Sequence, residues 1–218
     1  MIQAEHKKEG ILLFDLDGTL WDSSQEVADS WNVILRDQLP EIKTLTKEDI
    51  MSVMGKTMEE IAQTVLAGYQ GDNARQVFKN CEIYENEYLT EHGAVLFPKV
   101  RETLENLRKA GYDMAVVSNC QTGYINAFYT SMKMSDLFCD MEEWGNTGKT
   151  KAENIRLVME RNHYSKAVYI GDTIKDERAA KDAQIPFIHA AYGFGTAEAP
   201  DAVIHSIDEL EAVVEGVL

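Results

Sequence analysis

The sequence predicts an α/β fold in which a parallel sheet is flanked by helices and a helical segment is inserted after the first strand. The run at 11–14 is short and wholly apolar, which is typical of a buried strand in a parallel sheet. After Pro98 the apolar pattern alternates between strand and helix periodicity, as in consecutive βαβ units. Between these regions, residues 25–88 show helical periodicity alone.

The elements after Pro98 follow from the spacing of apolar residues. Strands are predicted at 112–117, 137–141, 167–170 and 185–189. Helices are predicted at 100–107, 125–132, 152–159, 176–183 and 207–214. The first strand belongs to the same sheet as the later ones, so the helical block interrupts the sheet in sequence.

The helical block divides the chain into two predicted domains. About four helices are expected between Gln25 and Tyr88. The sheet domain is predicted to comprise residues 1–21 and 93–218, and a helical cap domain residues 22–92. The insertion emerges directly after the first strand, so it would stand over the strand ends as a lid on the crevice there.

Composition narrows the class of protein. A hydrophobic fraction of 44% and a charged fraction of 27% over 218 residues are ordinary for a soluble enzyme. The formal net charge of −16 argues against nucleic acid and anionic membranes as partners. No apolar run reaches membrane-helix length, and the leader at 1–10 is too polar for a secretion signal. Three widely spaced cysteines suggest no disulfide framework, which favours a cytoplasmic location.

Two carboxylates end the first strand. Asp15 and Asp17 are two residues apart and are followed by Gly18 and Thr19. Like charges this close repel unless a cation or a shared proton lies between them, which predicts a metal site, a reactive carboxylate, or both. The alternative is an ordinary Asp-Gly turn with a helix cap.

Polar residues also follow two later strands. Ser118 and Asn119 come after the strand at 112–117, and Asp172 comes after the strand at 167–170, with Asp176 four residues further on. A helix cap, a turn or a helix-dipole interaction explains each one separately. Together they are more informative, because the carboxyl ends of parallel strands meet at one edge of a sheet, where ligands bind.

A glycine-rich loop at 145–151 carries two lysines, Lys149 and Lys151. A solvated loop is the ordinary explanation. However, a cation at a helix N-terminus opposes the helix dipole, so a nearby anionic ligand would account for its position.

These residues, in this order, resemble the four motifs of the haloacid dehalogenase superfamily of phosphohydrolases. The motifs are Asp15-x-Asp17-Gly18-Thr19, Ser118, a lysine of the 145–151 loop, and Gly171-Asp172-x-x-x-Asp176. The resemblance spans about residues 11–190 and implies a Rossmann-like sheet domain. The insertion resembles the helical C1 cap of the phosphoglycolate phosphatase and β-phosphoglucomutase subgroup.

The resemblance implies a role for each residue. Asp15 would be the nucleophile and Asp17 the general acid and base. Mg²⁺ would be held by Asp15, Asp172 and the backbone carbonyl of Asp17, with Asp176 orienting a bound water. Phosphate oxygens would be held by groups around the same edge: Gly18, Thr19, Ser118, Asn119 and the loop lysine.

The third motif departs from the common Lys-Pro form. Lys151 lies in a Thr-Lys-x-x-Asn sequence that resembles the form found in some members, so Lys151 is preferred over Lys149. The dehalogenases of the superfamily lack the second aspartate of the first motif. The presence of Asp17 therefore favours phosphoryl chemistry over carbon–halogen cleavage.

The resemblance implies a Mg²⁺-dependent phosphomonoesterase that forms an aspartyl-phosphate and hydrolyses a small phosphorylated metabolite, similar to phosphoglycolate or a sugar phosphate. One alternative is a sugar-phosphate mutase with the same Asp15 and Asp17, and another is a non-catalytic protein that binds a phosphorylated ligand. Lys56 and Trp21 could line the pocket, or could be a solvated lysine and a hinge-packing residue. The loop at 193–196 could close one side of the pocket, although turn chemistry alone explains it, and His189 is interpreted as a surface or core residue.

Overall fold

The computed structural model describes residues 8–67, 69 and 71–218. The first seven residues of the predicted polar leader lie outside the described residues. The described residues form a six-stranded sheet, and every pair of neighbouring strands in it is parallel. The order of the strands is β5-β4-β1-β6-β7-β8. Their bounds are β1 Gly10–Phe14, β4 Asp113–Ser118, β5 Asp140–Glu143, β6 Lys166–Gly171, β7 Phe187–Ala190 and β8 Ala202–Ile204.

Strand β1 lies in the middle of the sheet, between β4 and β6. All five of its residues are buried, as the apolar sequence predicted. Phe14 is in register with Val116 of β4 and with Ile170 of β6. The residues that follow these three strands therefore emerge side by side at one edge. Because the chain passes from β1 to one side of the sheet and later to the other, this edge is a topological switch point.

Helices cover both faces of the sheet. Side chains alternate along β1: Leu12 and Phe14 belong to one apolar cluster, and Ile11 and Leu13 to the other. Because β1 is buried on both faces, it can be wholly apolar without exposing hydrophobic surface. The flanking helices are α5 Val100–Lys109, α6 Tyr124–Met132, α7 Trp144–Thr147, α8 Lys151–Arg161, α9 Ile174–Ala183 and α10 Leu210–Val217.

In the described part of the insertion, four helices precede the return of the chain to the sheet, in agreement with the predicted number of about four. We call residues 24–92 the helical insert. Its helices are α1 Ser24–Gln38, α2 Lys47–Met51, α3 Met58–Val65 and α4 Ala74–His92. Thr46 and Thr57 close reciprocal capping boxes at the starts of α2 and α3. Trp31 of α1 packs edge-on against Phe78 of α4, with ring centroids 5.2 Å apart.

The helical insert is joined to the sheet by a two-stranded antiparallel ribbon that the sequence analysis missed. The ribbon consists of β2 Trp21–Asp22 and β3 Val95–Leu96. Strands of two residues are too short to show an alternating pattern, so they leave no periodic signal.

Several predicted boundaries in the second half are wrong. The strand predicted at 137–141 begins only at Asp140. Leu137 is buried, as a strand residue would be, but it lies in a 3₁₀ turn before the strand. The strand predicted at 185–189 begins at Phe187, because the backbone N–H of Ile185 still closes the turn after α9. Strand β8 was not predicted. The loop predicted at 145–151 contains the short helix α7.

No helix in the described part of the chain is both long and apolar enough to cross a membrane.

Candidate active site

Three buried carboxylates converge at the edge where β1 and β6 end. One carboxylate oxygen from each of Asp15, Asp172 and Asp176 lies within 4.8 Å of the others. Asp15 directly follows β1, Asp172 directly follows β6, and Asp176 lies in the first turn of α9. Thr173 caps α9, and its backbone N–H and hydroxyl both donate to Oδ2 of Asp176. The capping box thus turns Asp176 back toward the strand ends.

Lys151 supplies a positive charge to this cluster. It is the first residue of α8 and is buried, and its Nζ lies 2.5 Å from Oδ1 of Asp176 and 3.0 Å from Oδ1 of Asp15. Only the contact with Asp176 has the geometry of a hydrogen bond. Burial opposes the charge, but Asp15 and Asp176 outweigh it and hold the pKa of Lys151 well above its usual value.

The structure separates the two candidate lysines. Lys149 is exposed, whereas Lys151 reaches the carboxylates. Thr150 starts α8 with a capping box to Glu153, and this cap fixes the first turn that carries Lys151. The Lys-Thr-Lys order therefore places only the second lysine at the edge of the sheet.

The cluster fits a divalent cation. Oδ1 of Asp15 and Oδ1 of Asp172 are buried and accept no hydrogen bond from the described residues. Burial raises the pKa of Asp15, and Lys151 opposes this rise. Burial also raises the pKa of Asp172, and the charges of Asp176 and Asp15 add to the rise. The cluster has one ammonium for three carboxyl groups, so an added cation would offset the remaining negative charge. An all-oxygen donor set of this kind suits Mg²⁺.

The loop at 193–196 fixes Asp172, a role that the interpretation as a turn missed. The backbone N–H groups of Phe194 and Gly195 donate to Oδ2 of Asp172 at 2.8 and 3.2 Å. A Cβ at Gly193 would overlap the carbonyl oxygen of Gly18 and the side chain of Asp172. Because the donors to Asp172 are backbone N–H groups, the residue types of the loop do not reveal this contact, except for the glycine at 193.

Gly18 and His189 also pack around Asp172. Gly18 has a φ of +80°, and a Cβ there would overlap the Asp172 carboxylate. His189 is buried, and its Nε2 lies 3.1 Å from the backbone carbonyl oxygen of Asp172. His189 is therefore a core residue in contact with the site, and its imidazole helps to place the loop after β6.

The Asp17 carboxylate lies apart from this cluster. Its Oδ1 accepts hydrogen bonds from Trp21 Nε1 at 2.8 Å, Ser23 Oγ at 2.6 Å and Tyr124 Oη at 2.8 Å. Burial raises the pKa of Asp17, and these hydrogen bonds oppose the rise. Trp21 of β2 is wholly buried, donates to Asp17 through its indole N–H, and packs edge-on against Tyr124 and Phe128 of α6.

The predicted phosphate-binding residues surround the same edge. Ser118 ends β4 and is buried. The Thr19 hydroxyl is buried and without a hydrogen-bond partner among the described residues. Asn119 donates to the carbonyl oxygen of Gly55 at 3.2 Å, so it links the sheet edge to the helical insert.

A cavity of about 40 Å³ lies between the sheet edge and the helical insert. Asp15, Asp17, Ser118 and Asn119 line it from the sheet side. The insert contributes Lys56 and Glu85 together with an apolar wall: Val27, Trp31, Ile50, Val53, Met54, Met58 and Ile61. A ligand in this cavity would contact the carboxylates at one end and the insert at the other.

Comparisons with known proteins agree with this geometry. The family model of haloacid dehalogenase-like hydrolases matches residues 12–190. A phosphoglycolate phosphatase of Yersinia pestis is 30% identical over 216 residues, which cover 92% of this chain and 91% of that protein. One of Pseudomonas savastanoi pv. phaseolicola is 28% identical over 224 residues, covering 95% of this chain and 79% of that protein.

Solved structures show the same fold. A predicted phosphoglycolate phosphatase from Haemophilus somnus superposes with a TM-score of 0.82 at 22% identity, covering 94% of this chain and 97% of that one. CbbY from Rhodobacter sphaeroides, in complex with phosphate, has a TM-score of 0.75 at 19% identity and covers 93% and 96%. The chain belongs to the haloacid dehalogenase-like hydrolase family and is a phosphatase, a hydrolase that acts on phosphoric monoesters.

Proposed function

We propose that this phosphatase depends on Mg²⁺ and hydrolyses a small phosphorylated metabolite through an aspartyl-phosphate formed on Asp15. The observation that carries the proposal is the buried cluster of Asp15, Asp172, Asp176 and Lys151, in which two carboxylate oxygens accept no hydrogen bond from the described residues. Asp15 and Asp172 would hold the cation with the backbone carbonyl of Asp17, and Asp176 would orient a water beside it. Once bound, Mg²⁺ would offset the negative charge of the phosphoryl group.

Asp15 would attack phosphorus. It lies at the end of the central strand and faces the cavity, and its backbone N–H is held by the carbonyl oxygen of Ile170 at 2.8 Å. Lys151 lies beside it and would reduce the repulsion between the carboxylate and the incoming phosphate dianion. Ser118, Asn119 and the Gly18–Thr19 backbone would hold the phosphoryl oxygens.

Asp17 would move the proton. Three donors hold its Oδ1 and Asp17 lines the cavity, so Oδ2 would carry the exchangeable proton. Because burial raises its pKa, the protonated form can give that proton to the leaving oxygen. The resulting carboxylate would then take a proton from the water that hydrolyses the aspartyl-phosphate.

The helical insert would serve as the cap, with residues 22–92 as its domain. Three contacts outside the ribbon support a closed arrangement over the strand ends. Asn119 binds Gly55 as described, Asn86 donates to the carbonyl oxygen of Thr122 at 2.9 Å, and Lys175 pairs with Glu60 at 2.7 Å. A cap of this kind excludes water from the cavity and suits a small substrate.

A cytoplasmic location is part of the proposal. Cys81 and Cys120 are free thiols, which a reducing compartment would maintain.

The test is phosphate release from a panel of small phosphate esters, with Mg²⁺ and with a chelator in excess. We expect turnover that requires Mg²⁺ and that is abolished in Asp15→Asn. The matched control is Asp136→Asn, at an exposed position in a 3₁₀ turn, which should keep full activity. Turnover by Asp15→Asn at the wild-type rate would refute the nucleophile.

The same panel separates the alternatives. Activity that needs a bisphosphate activator and releases little free phosphate would indicate a sugar-phosphate mutase. Ligand binding without turnover of any ester would indicate a non-catalytic protein.

A further inference from the structure

Glu85 is a buried carboxyl in the cavity that the proposed chemistry does not use. It lies in the middle of α4, is 3% exposed, and lines the cavity together with Asp15 and Asp17. Its Oε2 accepts a hydrogen bond from Trp31 Nε1 at 2.7 Å. The indole therefore holds the carboxyl at the end of the cavity formed by the helical insert.

The surroundings of Glu85 make it costly to bury. The insert side of the cavity is otherwise mostly apolar, and a buried polar group is destabilising unless it is hydrogen-bonded. No lysine or arginine forms an ion pair with Glu85 in the described part of the chain. Burial raises the pKa of Glu85 to about 8, against the hydrogen bonds from Trp31 and Gln121, and the charges of Asp17 and Glu82 add to the rise. The carboxyl is thus mainly neutral at pH 7 and can both donate and accept.

We propose, on the basis of the proposed phosphatase function, that Glu85 determines specificity by hydrogen-bonding a hydroxyl group on the leaving alcohol. The reacting carboxylates lie at one end of the cavity and Glu85 lines the insert side, so a bound ester presents the remainder of its alcohol to Glu85. The substrate class is then a phosphate ester of an uncharged, hydroxylated alcohol. An alcohol without that hydroxyl would leave a buried polar group unpaired.

Charge distinguishes this class from two others. A carboxylate-bearing leaving group, as in phosphoglycolate, would lose its hydration against the mostly apolar wall of the helical insert, where the neutral Glu85 supplies no counter-charge. The cation available to it is Lys56, which lines the cavity and has no carboxylate partner among the described residues. An ammonium-bearing leaving group would require Glu85 to ionise in its apolar wall.

The experiment measures kcat/KM for four esters that differ in the leaving group. Glycerol 3-phosphate carries hydroxyls, n-propyl phosphate carries none, phosphoglycolate carries a carboxylate and phosphoethanolamine carries an ammonium. We expect the wild type to prefer glycerol 3-phosphate over n-propyl phosphate by tenfold or more, and over both charged esters. No phosphate release from any ester would refute the phosphatase chemistry itself, whereas release without this preference would refute only the role of Glu85.

Variants then assign the preference to the side chain. Glu85→Gln keeps a donor, an acceptor and the partner of Trp31, so it should retain the preference for glycerol 3-phosphate. Glu85→Met removes both polar functions, so the ratio of the two kcat/KM values should fall close to one. The matched control is Glu87→Met on the same helix, which is exposed and should leave the ratio unchanged.

Three results would overturn the proposal. The first is a wild type that does not discriminate between glycerol 3-phosphate and n-propyl phosphate, and the second is one that favours phosphoglycolate or phosphoethanolamine. The third is a preference that survives in Glu85→Met. The wild-type comparison decides the matter even if Glu85→Met does not fold.

Discussion

Replacing Glu85 by glutamine should change how the stability of the protein depends on pH. Glutamine has nearly the same shape and can still accept the hydrogen bond from Trp31, but it cannot ionise. In the wild type the folded protein holds Glu85 with a pKa of about 8, against 4.5 for the free side chain. Burial is the main cause of that difference, so it disappears when the chain unfolds.

The size and direction of the effect follow from this difference. Below about pH 4.5 the carboxyl is protonated in both states, and ionisation costs nothing. Between about pH 4.5 and 8 the unfolded chain releases the proton while the folded protein keeps it, so the free energy of unfolding falls as pH rises. A pKa difference of roughly 3.5 units, at about 1.4 kcal/mol each, corresponds to a total loss of about 5 kcal/mol above pH 8.

Urea unfolding at pH 5, 7 and 9 measures this loss. The free energy of unfolding of Glu85→Gln, minus that of the wild type, should increase by about 4 kcal/mol between pH 5 and pH 9. The control is Glu87→Gln, whose exposed side chain should give a difference that does not vary with pH. A constant difference between Glu85→Gln and the wild type would show that the carboxyl ionises freely in the folded protein.

Two further changes test the site itself, each beside a matched control. Lys151→Met leaves the buried carboxylates without their counter-charge, so the free energy of unfolding measured in urea should fall by about 3 to 5 kcal/mol. The control is Lys149→Met, at an exposed position, which should change that free energy by less than about 0.5 kcal/mol. Equal losses in both variants would contradict the ion-pair geometry. Gly193→Ala places a methyl group against Asp172 and should raise the Mg²⁺ concentration for half-maximal activity by about tenfold or more. Gly216→Ala, where the added methyl meets nothing within 4 Å, should leave that concentration unchanged. An unaltered Mg²⁺ requirement in Gly193→Ala would mean that the loop does not position Asp172.

The sheet and the carboxylate cluster were predictable because their signals are local. Each strand is a short apolar run, and the polar residue after it marks its carboxyl end, as at Asp15, Ser118 and Asp172. Parallel pairing then brings these ends to one edge without any knowledge of side-chain contacts. Lys151 could be preferred over Lys149 only through a resemblance, because two lysines two residues apart are equivalent in composition.

The contacts that the sequence analysis missed join distant parts of the chain. The loop at 193–196 reaches Asp172 through backbone N–H groups, which have no side-chain signature. Glu85 lies on the same buried face of α4 as Cys81 and Leu89, each four residues away. A glutamate on an apolar helix face is a signal that could have been found. The position of Glu85 across the cavity from Asp15 and Asp17 follows only from the packing of the helical insert on the sheet.

The ribbon of β2 and β3 has a consequence for how this chain can change in evolution. Trp21 is in register with Leu96, so the helical insert leaves the sheet and returns to it at the same point. A connection closed in this way tolerates changes of length, since doubling it costs only about 0.6 kcal/mol of closure entropy. Because the ribbon closes the connection, changes within the helical insert need not alter the pairing of β1 with β4. Insertions, deletions or replacement of whole helices there would change the wall of the cavity, while the carboxylate cluster at the strand ends would keep its geometry.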